Sequence, residues 1–159
     1  MPTLYVMIGM PASGKSHWRR QYLDATVISP DNVLEEKWGY DWSPVHVAQA
    51  WATCYEALGR AIVNEMFSAD QDAEYVWDAG MTVPQDRSAV LGIAKGAGWR
   101  VIAVYVNTPY EVCVERNEER PRHRRVPLKT MKNRWMRLTP PQPGEKWDDT
   151  IYVEHGEDE

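Results

Sequence analysis

This sequence is short of the features that would set it apart from an ordinary folded domain. It has only two cysteines, Cys54 and Cys113. They are far apart, and neither has a Cys or His at short metal-ligand spacing. That excludes a disulfide framework and a structural zinc site, and leaves two reduced, buried thiols. No apolar run approaches the ~20 residues needed to cross a bilayer, so no membrane partner is expected. Met1-Pro2-Thr3 runs straight into an apolar segment, which leaves no room for a signal peptide. These absences together predict a cytoplasmic protein. There is no internal repeat, and 159 residues suit a single core. A positive net charge is missing too: the value of −5 argues by itself against a nucleic-acid partner. Its distribution argues otherwise. Between Arg116 and Arg137 nine Lys/Arg face two acids, so that segment carries +7 and the remainder −12. A basic patch on an acidic body is a local site for phosphates.

What the sequence does contain is Gly9-Met10-Pro11-Ala12-Ser13-Gly14-Lys15-Ser16. This fits the phosphate-loop pattern G-x-x-x-x-G-K-[ST]. Leu4-Tyr5-Val6-Met7-Ile8 before it reads as a buried parallel strand, and His17 to Leu23 after it reads as a helix. Strand, glycine loop and helix are what phosphate binding needs. Backbone N–H groups converge on the phosphate oxygens, and the helix N-terminus adds partial positive charge. Gly9, Pro11, Ala12, Ser13, Gly14, Lys15 and Ser16 are therefore the expected contacts to ATP. Lys15 reaches the β- and γ-phosphates, and the Ser16 hydroxyl holds Mg²⁺.

Strands and helices then alternate. Thr26 to Ser29 is a short strand that Pro30-Asp31-Asn32 should stop, leaving Asp31 just past its carboxyl end. Residues 33–42 carry no clear pattern. Ser43-Pro44 opens a long helix to about Phe67, with an apolar stripe of Val47, Trp51, Tyr55, Leu58, Ile62 and Met66. Tyr75 to Asp78 is a strand ending in a carboxylate. Pro84 to about Ala97 is a helix ended by Gly98. Trp99 to Val106 is an almost unbroken apolar strand. Thr108-Pro109-Tyr110-Glu111 reads as a capping box opening a helix that Pro121 ends. Arg122 to Val126 is a basic loop, and Pro127 to Arg137 a last helix. Thr150 to Val153 is a fifth strand, and residues 154–159 an acidic tail. This order predicts an α/β fold: one P-loop-type domain, 1–153, with a five-stranded parallel sheet, helices on both faces and a short basic lid.

Four features then line up: Gly9 to Ser16; Ile28-Ser29-Pro30-Asp31; Val76-Trp77-Asp78-Ala79; and Glu111-Val112-Cys113-Val114-Glu115-Arg116-Asn117-Glu118-Glu119-Arg120 followed by Val126-Pro127. In these the chain resembles the kinase domain of bacteriophage-type polynucleotide kinases and the small P-loop kinases around them, over residues 3–153. The resemblance implies transfer of the γ-phosphate of ATP, with Mg²⁺, to the 5′-hydroxyl of DNA or RNA. It implies that Asp31 is the general base and that Arg116 and Arg120 are lid arginines. Four residues apart, these two would share one helix face and close together on the β- and γ-phosphates. Arg124 or Arg125 would also cover the nucleotide. Asp78 would hold Mg²⁺ through water or position the acceptor.

The chain also departs from that pattern. Leu34 stands where the family has an arginine thought to contact the acceptor's phosphate, and Gly80-Met81 where Thr-Asn is common. Both changes fall in the acceptor site, so ATP use is better supported than acceptor identity. Many relatives carry an additional phosphatase domain, and no such activity is expected here. The competing reading is a P-loop kinase acting on a small-molecule hydroxyl of a nucleoside, sugar or antibiotic. A further one is a nucleotide-gated binding module without transfer, which a candidate base and paired lid arginines disfavour.

Overall fold

In the computed structural model, residues 1–156 are described. Five strands form one parallel sheet: β1 (Thr3–Gly9), β2 (Thr26–Ile28), β3 (Glu74–Asp78), β4 (Arg100–Asn107) and β5 (Asp149–Glu154). Their order is β2-β3-β1-β4-β5. The chain leaves β1 towards one edge and later returns to pair β4 on its other side. The carboxyl end of β1 is thus the switch point, where open α/β sheets bind ligands.

The strands are apolar because both sheet faces are covered. Leu4, Val6 and Ile8 of β1 point to one face. There, with Trp77, Val101 and Ala103, they meet α3 (Pro44–Met66) and α4 (Pro84–Gly96). Met7, Val76, Val104 and Val106 point to the other face and meet Trp18 of α1 (Lys15–Tyr22). Residues 101–106 of β4 are all buried. Each fully buried valine contributes about 1.5–3 kcal/mol. A third cluster of Met10, Cys113 and Met131 fastens the phosphate loop to α5 (Tyr110–Glu119) and α6 (Leu128–Arg137).

Several expectations need correction. Pro30 does more than stop β2: it is the first residue of α2 (Pro30–Trp38), whose N-cap Ser29 accepts from the Asn32 N–H at 3.3 Å. Residues 33–38, unassigned from sequence, complete that helix. The buried line of α3 is Ala50, Cys54, Leu58 and Ala61, with Met66 exposed. Thr108 does not cap α5, whose N-cap is Pro109 with no side-chain bond. The Thr108 hydroxyl is used elsewhere: it donates to Ser13 O at 2.7 Å and accepts from Gly156 N at 2.8 Å. The acidic tail begins later than expected. Glu154 belongs to β5, and His155 N donates to Asn107 O at 2.7 Å. Gly156 is buried where a Cβ would come within 2.3 Å of Ser13 O. Residues 157–159 of that expected tail lie outside the described residues.

A buried brace holds the segment between α6 and β5. Arg87 on α4 is fully buried and pairs with both Glu145 oxygens, Nε at 2.6 Å and Nη2 at 2.8 Å. Its guanidinium also donates to Thr139 O and Pro140 O. Burial would push the Glu145 carboxyl up, but the Arg87 hydrogen bonds and the Gln142 N–H hold it below its ordinary value.

Candidate active site

The phosphate loop sits where the sequence places it, between β1 and α1. A Cβ on Gly9 would lie 2.9 Å from Val106 O and 3.0 Å from Ser13 Oγ, so the loop can pass close to β4 only with glycine there. Ala12 and Gly14 take left-handed backbone angles, φ 62° and 95°. Pro11, Ala12, Gly14, Lys15 and Ser16 line a cavity of about 780 Å³. Gly9 and Ser13 shape the loop from beneath instead. Ser13 is buried, its N–H bonds Met10 O, and its Oγ has no partner among the described residues.

Lys15 Nζ donates to Met10 O at 2.8 Å. Desolvation lowers its pKa, opposed first by Asp78 and then by Asp31. Ser16 Oγ donates to Asp78 Oδ2 at 2.9 Å, and Arg19 Nε pairs with the same oxygen at 2.7 Å. Asp78 ends β3 directly beside β1, which is why strand pairing brings it to Ser16. A hydroxyl and a carboxylate meeting at one point are hard oxygen donors of the kind Mg²⁺ takes, so these residues fit the ion. Ser16 and Asp78 would hold it next to the phosphates.

Asp31, second residue of α2, opens onto the same cavity, so water reaches it. The surrounding walls still push its pKa up, and Lys15 is the first charge that opposes this. Leu34 also lines the cavity, yet it is 1% exposed and packs with Tyr40 and Ala50.

The expected arginine pair lies at the end of α5. Arg116 lies on α5, with Nη1 at 3.4 Å from Ala12 O. Arg120 is no longer helical: α5 ends at Glu119 and Arg120 is extended, φ −69° and ψ 152°. Pro121 forces this, because the residue before proline avoids the helical region. Both arginines line the cavity. Arg124 lines it from a 3₁₀ turn (Arg122–Arg124), its guanidinium 4.8 Å from the Tyr40 ring centre.

Three cavity-lining arginines, Arg19, Arg20 and Arg134, were not singled out by sequence reasoning. Arg134 of α6 lines the cavity, and its charge acts on both Lys15 and Asp31 ahead of that of Arg120. A signal existed: Arg134 follows the buried Met131 by three residues, so both share the inward face of α6. Arg19 and Arg20 of α1 also line the cavity, as do Tyr40, Trp42 and Trp51 on the opposite wall.

Loop, sheet order and cavity together define a P-loop fold of the kinase-like type. The chain belongs to the AAA domain family, whose profile matches residues 4–141. No curated protein matches it. Among solved structures it is similar to a candidate kinase from Chloroflexus aurantiacus, with a TM-score of 0.71 and 17% identity over 98% of this chain and 89% of that one. It is similar also to a gluconokinase from Sinorhizobium meliloti, TM-score 0.58, 18% identity, 98% and 84% covered. A third is Chaetomium thermophilum Kti12 in complex with ADP-AlF3, TM-score 0.58, 16% identity, 95% and 88% covered. At these identities the likeness is one of fold. Among the described residues no helix is long and apolar enough to cross a membrane.

Proposed function

We propose that this protein is an ATP-dependent kinase that transfers the γ-phosphoryl group to an alcohol. The observation that carries the reading is that Asp31 and Lys15 line one cavity at the carboxyl edge of the sheet and feel each other's charge. Loop N–H groups and Lys15 bind the phosphates, and Ser16 and Asp78 are the residues for Mg²⁺, which when bound neutralises phosphate charge. Asp31 takes the proton of the acceptor hydroxyl. The acceptor oxygen bonds to the γ-phosphorus, the bond to the β–γ bridging oxygen breaks, and ADP leaves. Arg116, Arg120 and Arg134 face the transferring group, where fixed positive charge stabilises the transition state most. Arg124 covers the nucleotide from the lid.

Two acceptors suit this scheme. The order of the motifs and the basic lid support the 5′-hydroxyl of DNA or RNA. Leu34, buried in an apolar cluster at the cavity wall, supports a small-molecule hydroxyl, and the charge arrangement of that wall favours this second reading. The deciding experiment is transfer of labelled γ-phosphate from ATP with Mg²⁺ to a panel of 5′-hydroxyl DNA and RNA oligomers, nucleoside 3′-monophosphates, nucleosides and neutral sugars. Lys15→Ala is the inactive control. Labelled oligomers, with affinity falling steeply as salt rises, would establish the polynucleotide acceptor. Salt-insensitive labelling of small alcohols would establish the other. ATP binding without any labelled acceptor would overturn the kinase reading in favour of a nucleotide-gated binding module.

A further inference from the structure

The charges around the cavity are segregated by element. The wall built from residues 29–51 contributes two carboxylates, Asp31 and Glu35, three aromatic rings, Tyr40, Trp42 and Trp51, and no Lys or Arg. Every cation lining the cavity comes from the α1 side or from the α5–α6 region. The wall's own residues thus offer no cation to an acceptor; one reaches across to it, the Arg124 guanidinium, which lies 4.8 Å from the Tyr40 ring centre.

The rings on that wall differ in exposure: Tyr40 is buried, Trp51 half-buried and Trp42 open. Tyr40 has φ 65°, a backbone conformation that a bulky residue keeps only where its surroundings over-determine it. Its hydroxyl donates to Glu35 Oε2 at 3.2 Å, and its ring packs against Trp42 with centroids 6.3 Å apart. Trp42 remains 42% exposed, an indole left to solvent at a cavity that already holds apolar Leu34 and Val47. Trp51 is braced from behind by Trp77 at 6.1 Å, so it presents a fixed surface. Asn32 and Glu35 supply a donor and an acceptor beside these rings.

We propose that this wall binds the acceptor by an uncharged ring, laid against Trp42 and Trp51 with its hydroxyl turned to Asp31. It discriminates against an acceptor that carries a phosphate next to that hydroxyl. The ring is a nucleobase or a sugar: both stack on indole and both offer polar edges to Asn32 and Glu35. The proposal rests on the kinase reading and narrows its acceptor.

The test uses the whole protein with Mg²⁺ and a non-hydrolysable ATP analogue. Thymidine, adenosine, neutral hexoses and thymidine 3′-monophosphate are titrated, with binding followed by tryptophan emission and calorimetry. Neutral rings should bind at least tenfold more tightly than the phosphorylated nucleoside. Nucleosides outbinding hexoses would assign the ring as a base, and the reverse order as a sugar. Trp42→Leu should weaken the bound ring by about 5- to 150-fold, the range of an aromatic stack. Trp42→Phe should restore most of the loss, and neither variant should change affinity for the ATP analogue. A preference for the phosphorylated acceptor, an effect of Trp42→Leu below twofold, or no binding by any ring would overturn the proposal. Rings that bind as expected but are never phosphorylated from ATP would overturn the kinase reading instead.

Discussion

Asp31→Asn separates chemistry from binding and from stability in one substitution. Asparagine keeps the shape of the side chain and removes its charge. In the proposed site the nucleotide would be held by other elements, the phosphate loop and the arginines of α5 and α6 that line the cavity. Lys15 retains its stronger carboxylate partner, Asp78. ATP affinity should therefore stay within a few-fold of wild type. Transfer should fall by roughly 10²–10⁴, the usual contribution of a positioned base, equivalent to about 3–5 kcal/mol of barrier. Stability should move the opposite way. The folded-state pKa of Asp31 lies above its ordinary 3.8, chiefly through desolvation. Between those two values Asp31 holds more protons in the native state than in the unfolded chain, so its own contribution to stability falls as pH rises through that window. Asp31→Asn lacks this loss. Its margin over wild type should grow across the window and level off above it. Wild-type turnover should decline as pH falls through the same raised value. The assays are single-turnover phosphoryl transfer, calorimetric ATP titration and thermal melts over a pH series. Transfer within tenfold of wild type, with ATP still bound, would refute the base assignment. A variant that melts lower at neutral pH would refute the account of Asp31 as a carboxylate penalised by its surroundings.

Other outcomes follow from other parts of the molecule. Arg134→Gln should slow transfer by about tenfold to a hundredfold, the scale of one charge-assisted hydrogen bond, with a smaller change in ATP affinity; unchanged single-turnover rates would remove Arg134 from the site. Arg87→Met leaves Glu145 and two or more carbonyls without their buried partner, at about 3–5 kcal/mol. At about 2–4 °C per kcal/mol, Tm should drop by roughly 6–20 °C. Because Glu145 has a depressed folded pKa, its part of the brace is present above the unfolded value near 4.5 and is lost as pH falls through the folded one. The wild-type advantage over Arg87→Met should shrink correspondingly in acid melts. Thr108→Val unties Ser13 O and Gly156 N together, costing about 1–3 kcal/mol for each group left unsatisfied. Hydrogen exchange should speed up at Gly156 and across the phosphate loop, and unchanged protection there would show that the tie is not structural.

The strands were legible because a sheet covered on both faces demands continuous apolar runs, and residues 101–106 are such a run. The phosphate loop was legible because its chemistry is local: eight consecutive residues supply the N–H groups, the ammonium and the hydroxyl. Asp31 was legible for a similar reason, standing at a strand end next to a proline. Residues 33–38 were not, because α2 depends on burying Leu34 against Tyr40 and Ala50 rather than on periodicity. The end of α5 was carried one residue too far, to Arg120, because Pro121 keeps its predecessor out of the helical region. Thr108 looked like a cap because its neighbours suit one, but its hydroxyl bonds groups 95 residues before it and 48 after it. The same holds for Arg134, Tyr40 and Trp42. The sequence by itself determined the class of fold and the positions of the phosphate loop and of Asp31 at strand ends, all of which depend on neighbours along the chain. Tertiary structure alone decided which cations line the cavity and which side chains make the wall opposite them. Those follow from how α2, α3, α5 and α6 pack around one end of the sheet, and no spacing along the chain encodes that convergence.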